Sequence, residues 1–275
     1  MDEHGLAWEG SQPLAEPAPE LPASRGLPVR AWGVAFALLA AVVAGGVLLL
    51  NSESASSSSP VSLAAYSSTQ QLGYRFKITI SASTSGFNFS INGSGALNVR
   101  PSVSGSMNLS VLGQTYDEVF SGSYVYVQAA ASSWYRVPLP ASAQASTEQN
   151  PTAELDYLRA AGNVTDVGPA ALDGLVTTHY HALVDLGQLA SVEGDAVSPQ
   201  QIAELEKALG GSALPIDVWI DGSHLVRRLS ILLPIKQNGV SVNASLTLDF
   251  LSYGAQPVVA APPASEVTDT PPPSP

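Results

Sequence analysis

Apolar residues recur at every second position in several segments of the chain, and this period constrains the fold more than any other feature. In residues 74–80 the apolar positions are Tyr74, Phe76, Ile78 and Ile80, separated by Arg75, Lys77 and Thr79. A period of two is that of a β-strand with one buried and one wet face. The alternation returns in segments 87–92, 103–111 and 240–250. One-sided strands predict an antiparallel sheet, because parallel sheets bury both faces.

Turn signals separate the later strands. Asn238-Gly239 predicts a tight hairpin between segments 225–236 and 240–250, and Asp221-Gly222 predicts a turn after segment 215–220. With the earlier segments, these signals predict roughly nine or ten antiparallel strands.

Two segments have the spacing of amphipathic helices. The first begins at Asn150-Pro151 and is expected to end at Gly162, and the second begins at Ser198-Pro199 and is expected to end at Gly210-Gly211. Strands with one apolar face and amphipathic helices bury their apolar surfaces against each other. The predicted class is therefore α+β.

Residues 31–50 are twenty consecutive uncharged residues, and no other stretch is comparably apolar. This length matches the roughly 30 Å hydrocarbon core of a bilayer. Arg25 and Arg30 precede the segment and no basic residue follows it until Arg75. The positive-inside rule then predicts one transmembrane helix with a cytoplasmic N-terminus. A cleaved signal peptide is the alternative, although the apolar run is long for one and no small-residue cleavage site follows it.

The anchor divides the chain. We predict a disordered, acidic and Pro-rich cytoplasmic head over residues 1–30, the anchor over 31–50 and a Ser-rich spacer over 51–60. One extracytoplasmic domain follows over residues 61–260, and a Pro-rich disordered tail over 261–275.

Charge and cysteine content exclude several classes of function. Residues 51–275 hold 9 basic and 18 acidic side chains, which argues against nucleic-acid binding and against docking on anionic lipid surfaces. The chain has no cysteine, so thiol catalysis, cysteine-based zinc sites and a lipidated cysteine are ruled out.

His179 and His181 are the most suggestive pair for a metal site, because residues two apart on a strand face the same way. Asp185 has the same parity. Two ligands with no third nearby rarely hold zinc, so we favour two polar residues on the wet face of a strand. The sequence therefore predicts no metal.

No other motif supports an enzyme. The chain has no G-x-S-x-G elbow and no phosphate-binding loop, and the acidic pair Asp117-Glu118 is expected in a solvated turn. We predict no catalytic residues and no cofactor.

Three stretches together resemble one family. They are LRAAGNVTDVGPAALDGLVTTHYHALVDL (158–186), LPIDVWIDGSHLVRRLSI (214–231) and LDFLSYGAQPVVAAPPASEVTD (248–269). Their order and spacing resemble the LppX/LprG-type (LppX_LprAFG) lipoproteins of actinobacteria, within the LolA-like superfamily. The family's lipidated cysteine is absent here, and the apolar segment 31–50 stands in its place.

This resemblance implies a strongly curved, unclosed antiparallel half-barrel, with helices on its concave face and a cavity for the acyl chains of lipids or glycolipids. Candidate lining residues are the inward apolar positions Phe76, Ile78, Phe87, Phe89, Leu109, Leu229, Ile231, Leu246 and Leu248. Each of them also suits an ordinary core.

The leading hypothesis is a membrane-anchored extracytoplasmic protein that holds or transfers lipid. The alternative is an envelope sensor or regulatory ectodomain that binds a protein partner, which the sequence does not identify. An enzyme acting on cell-wall polymers ranks third, because no site supports it.

Overall fold

The structure is a computed structural model that describes residues 59–84, 86–100, 102–129, 132–138, 158, 161–187, 200, 203, 206–207, 209–237 and 240–268. The predicted head and the apolar segment 31–50 lie outside these residues. Within the described ranges, no helix has both the length and the apolar character needed to cross a membrane.

In the described part of the chain, twelve strands form a single sheet. In chain order, β1 to β12 are Gly73–Thr84, Phe87–Asn98, Ser104–Val111, Gln114–Ser121, Tyr124–Ala129, Trp134–Pro138, Ala161–Leu172, Leu175–Asp185, Ala213–Asp221, Val226–Gln237, Val240–Tyr253 and Val267–Thr268. Their spatial order is β12-β6-β5-β4-β3-β2-β1-β11-β10-β9-β8-β7.

The sheet is open and almost wholly antiparallel. Its edge strands β7 and β12 each have one neighbour within the described chain, and only the β12–β6 pair is parallel. This arrangement confirms the predicted unclosed, mostly antiparallel sheet. The strand number exceeds the predicted nine or ten, because β4 to β7 carry a weaker apolar alternation than the strands found from sequence.

One row of side chains shows how the two faces divide. From β9 to β4 the paired residues are Val218, Leu229, Leu248, Ile78, Gly93, Leu109 and Tyr116. The row is apolar over six strands, and its alternating neighbours, such as Thr79 and Asn92, lie on the opposite face. We call the face that carries this apolar row the inner face and the opposite face the outer face.

Helix α1, Pro60–Thr69, packs on the sheet and was not predicted from the sequence. The Ser59 side chain caps it by accepting from the Ser62 amide at 3.1 Å, with Pro60 at the first position. The helix contacts β7, β9 and β10, and the Ser68 hydroxyl accepts from the Val226 amide at 2.9 Å. Small apolar residues rather than large ones form its buried side, so its apolar stripe is weak in sequence.

The ends of the two predicted helices differ in outcome. Glu206, Lys207 and Leu209 are helical, Gly210 has φ 72°, and the Gly211 amide donates to the Glu206 carbonyl at 3.1 Å. This geometry confirms the predicted C-terminal stop. The expected stop at Gly162 is wrong, because Gly162 lies inside β7 and pairs with Leu183.

The sheet extends beyond the predicted domain end at residue 260. A short 3₁₀ turn, Ala264–Glu266, precedes β12, whose Val267 pairs with Trp134 of β6. Proline residues before the turn do not prevent this pairing, because β12 is an edge strand. The expected disordered tail therefore does not begin before residue 269.

Candidate functional site

The inner face is closed over one half of the sheet and partly open over the other. On β1, β10 and β11, the side chains of Phe76, Leu229 and Leu248 are each 1% exposed. On β3, Met107 and Leu109 of the same face are only partly buried. The described chain therefore leaves apolar surface partly accessible around Met107 and Leu109, whereas Phe120 of β4 and Val125 of β5 are buried on the same face.

Most predicted lining residues belong to the closed half. Leu229, Ile231, Leu246 and Leu248 form one cluster with Phe76, and Ile78 packs against it. Phe89 is 6% exposed. Leu109 alone lies in the open half, and the side chain of Phe87 is outside the described part of the structure. The structure thus places these residues on one face without bringing all of them to an accessible surface.

A cleft of about 410 Å³ opens where α1 begins. Ser59 and Pro60 form one side of it, and Val164, Asp166 and Tyr180 form the other. Tyr180 pairs with Val218 of the inner face, so the cleft meets that face at its β7–β8 end. Its size falls within the usual range for a site that holds a small molecule.

The acidic pair Asp117-Glu118 does not lie in a turn, which corrects the sequence-based expectation. Both residues belong to β4, and the turn that precedes it is formed by Leu112 and Gly113, both with positive φ. Asp117 is on the outer face, where it accepts from the Asn108 side chain at 2.7 Å. Glu118 points to the inner face, and burial raises the pKa of its carboxyl group.

Two tyrosines accompany Glu118 on the open half. Tyr116 precedes it by two positions on β4, and Tyr135 of β6 pairs with Val127, the β5 partner of Glu118. Burial raises the pKa of Tyr135, and the nearby Glu118 and Tyr116 raise it further. These three groups are therefore in electrostatic contact on an otherwise apolar surface.

His179 and His181 lie on the outer face, as predicted, and share one partner. The Asp217 carboxylate oxygen Oδ1 lies 2.8 Å from His179 Nε2 and 3.2 Å from His181 Nδ1. The His179 ring also stacks on Trp219, with centroids 4.3 Å apart. In the described ranges, no group of three metal-ligating side chains has the arrangement of a metal site, and the absence of a metal stays a prediction.

The features that sequence reasoning missed share a cause. Asp217 is 36 and 38 residues from its two histidines, so only the β8–β9 pairing brings them together. The pairing register of β4 with β3 is needed to establish that the Glu118 side chain points to the inner face. Tyr116 and Phe120 are four positions apart and so share a face with Glu118. This was the available signal for the inward direction of Glu118, and the acidic pair between the two aromatic residues obscured it.

The chain matches no family model and no curated protein sequence. Solved structures similar to it include LprF from Mycobacterium bovis, with 16% identity, a TM-score of 0.47, and coverage of 74% of this chain and 95% of that one. The Mycobacterium tuberculosis lipoprotein LppX has 18% identity and a TM-score of 0.45, with coverage of 74% and 99%. A LolA superfamily protein from Nitrosomonas europaea has 6% identity and a TM-score of 0.29, with coverage of 73% and 93%. LprF and LppX belong to the LppX/LprG family, which is the family that the three stretches of this sequence resemble.

Proposed function

We propose that this protein is a lipid-binding protein of the cell envelope that holds the acyl part of a lipid or glycolipid against the inner face of its sheet. One observation carries the proposal. The inner face is mostly apolar, yet Met107, Leu109 and Val127 are only partly buried, unlike Leu229 of β10 and Leu248 of β11. Contiguous apolar surface that is left accessible usually marks a binding site.

Binding of this kind needs no covalent chemistry. Transfer of an acyl chain from water contributes about 0.8 kcal/mol for each buried methylene, so some sixteen carbons contribute about 10 kcal/mol before the entropy costs of binding. The protein would act as a carrier or holder rather than as an enzyme.

Membrane attachment through residues 31–50 is the second part of the proposal. It rests on the uncharged length of this segment and on the basic residues that precede it. N-terminal sequencing of the membrane-extracted protein tests it, and a mature chain that begins near residue 52 would show cleavage instead.

Photocrosslinking in the full chain tests the lipid site. A benzophenone amino acid is placed at position 109, on the inner face, and in a matched control at position 108, whose side chain is exposed on the outer face. In cells fed radiolabelled acetate, we expect labelled lipid to attach at position 109 and not at 108. Mass spectrometry of the crosslinked peptide then identifies the lipid.

Equal labelling at both positions, or none at either, would contradict a lipid site on the inner face. Crosslinking of a protein at position 109 would favour the sensor alternative.

A further inference from the structure

Glu118 is an acidic residue in the accessible apolar half of the inner face. Its partner on β3 is Met107 and its partner on β5 is Val127, so apolar side chains flank it across both pairings. The residue is partly buried, and burial raises the pKa of its carboxyl group. A carboxyl group placed in such surroundings is costly unless a partner compensates it.

The described part of the chain supplies no such partner. The Glu118 carboxyl group has no hydrogen bond or ion pair to any described residue. The basic side chains of the neighbouring strands face away, and Arg136 of β6 lies over the Tyr124 ring, with 5.1 Å between its guanidinium carbon and the ring centroid. On β3 to β6, the described inner face therefore carries one acidic group and no basic group.

Tyr116 and Tyr135 complete the polar part of this surface. Both rings belong to the inner face beside Glu118, as their pairing positions show. Aromatic faces attract cations, and the attraction grows when the cation is removed from water. The Glu118 carboxylate would repel an anionic head group, whereas a neutral head group would gain only hydrogen bonds.

We propose that Glu118, Tyr116 and Tyr135 form the head-group end of the site and select amphiphiles with a positively charged head, such as an amine or a quaternary ammonium. This inference rests on the proposed function, because the apolar part of the ligand has to lie along the inner face through Met107 and Leu109. The cationic head supplies the partner that Glu118 lacks, and the two phenol rings surround it.

The test uses the full chain in nanodiscs of digalactosyldiacylglycerol, a neutral lipid that carries no cationic group, and three amphiphiles with the same tail, with binding to empty nanodiscs subtracted. They are octyltrimethylammonium, octyl glucoside and octyl sulfate, each below the concentration that disrupts the discs. We expect Glu118→Gln to weaken binding of octyltrimethylammonium by about tenfold, because a charged partner is lost. Binding of octyl glucoside should stay unchanged, and binding of octyl sulfate should strengthen.

Asp117→Asn is the matched control, because it removes the same charge one residue away on the exposed outer face. It should leave the affinity for all three amphiphiles unchanged. A thermal melt of each variant checks that the fold is intact.

The pH dependence gives a second readout. Affinity of the wild type for octyltrimethylammonium should rise with pH as Glu118 ionises, and Glu118→Gln should abolish this rise. The other titratable groups that face Glu118 from the described strands are Tyr116 and Tyr135, while β3 and β5 face it with Met107 and Val127. The quaternary ammonium head does not titrate.

The outcomes separate the two proposals. If all three amphiphiles bind equally and Glu118→Gln changes none of them, the lipid site stands and the selection of a cationic head is overturned. Preference for octyl glucoside or octyl sulfate in the wild type also overturns it. If no amphiphile binds at all, both the head-group inference and the proposed lipid site are wrong.

Discussion

Gly93 of β2 lies beneath the side chain of Leu109 of β3. A Cβ atom added at Gly93 would lie 2.6 Å from Leu109 Cδ2 and 2.8 Å from Ile78 Cγ2. Glycine in a strand commonly marks such a close approach. The absence of a side chain at this position lets the side chains of Leu109 and Ile78, on the two flanking strands, occupy the space over β2, where the closed half of the inner face borders the open half.

Gly93→Ala and Gly95→Ala are expected to differ in cost. The added methyl group at Gly93 meets mainly the side chains of Leu109 and Ile78, whereas at Gly95 it would lie 2.6 Å from the backbone oxygen of Ser106. A side chain can move more readily than a paired strand. We expect a loss of about 1 kcal/mol for Gly93→Ala and about 2–3 kcal/mol for Gly95→Ala, by chemical denaturation. Equal losses would show that Leu109 has no room to move.

The sequence predicted the sheet well where alternation is strong and poorly where it is mixed. Phe76, Ile78 and Ile80 alternate with polar residues, and β1 lies where expected. Helix α1 was missed because its buried positions are small residues such as Ala64 and Ala65, which give a weak stripe.

For the candidate site, the sequence predicted only which side chains share one face of the sheet. Residues such as Leu229 and Leu109 share the predicted parity, but nothing local indicates that the first is fully covered and the second partly open. That difference depends on what packs over each strand, which is set by contacts distant in sequence. Glu118 and its tyrosines depend in the same way on the register of β4, β5 and β6.

Leu109→Trp and Leu246→Trp should separate ligand capacity from stability. Leu246 is 4% exposed within the core cluster, so an added indole there should cost about 1–3 kcal/mol and lower the melting temperature by several degrees. Leu109 is only partly buried, so the same change should leave the melting temperature within about 2 °C and reduce lipid co-purification. If Leu109→Trp destabilises the protein as much as Leu246→Trp, and the wild type carries no lipid, the open half is a filled core.

Asp221→Ala should cost far more stability than Asp217→Ala. Asp221 accepts from the amides of Ser223 at 2.8 Å and Leu225 at 3.0 Å, and its other oxygen accepts from Arg227 Nε at 2.5 Å. Its loss leaves these donors without a carboxylate in the β9–β10 turn, at a cost of about 3 kcal/mol, or roughly 6–12 °C in melting temperature. The Asp217 side chain is 37% exposed, so its removal should cost less than about 1 kcal/mol. Similar melting temperatures for the two variants would contradict this ranking.

Glu118→Gln should stabilise the protein at neutral pH and lose this effect in acid. Burial raises the pKa of Glu118 in the folded state, whereas the unfolded chain ionises near the usual value of about 4.3. Above the folded-state pKa the carboxylate is charged in both states, and only the folded state has it in apolar surroundings. The destabilisation therefore develops as pH rises from the unfolded pKa through the folded pKa, and it is absent below about pH 4. We expect the denaturation midpoints of Glu118→Gln and wild type to converge as pH falls to that value.

Asp117→Asn is the control. The Asp117 carboxylate is exposed and accepts from Asn108, so its removal should not stabilise the protein at pH 7. A Glu118→Gln variant less stable than wild type at pH 7 would show that the carboxylate has a stabilising partner in the folded protein.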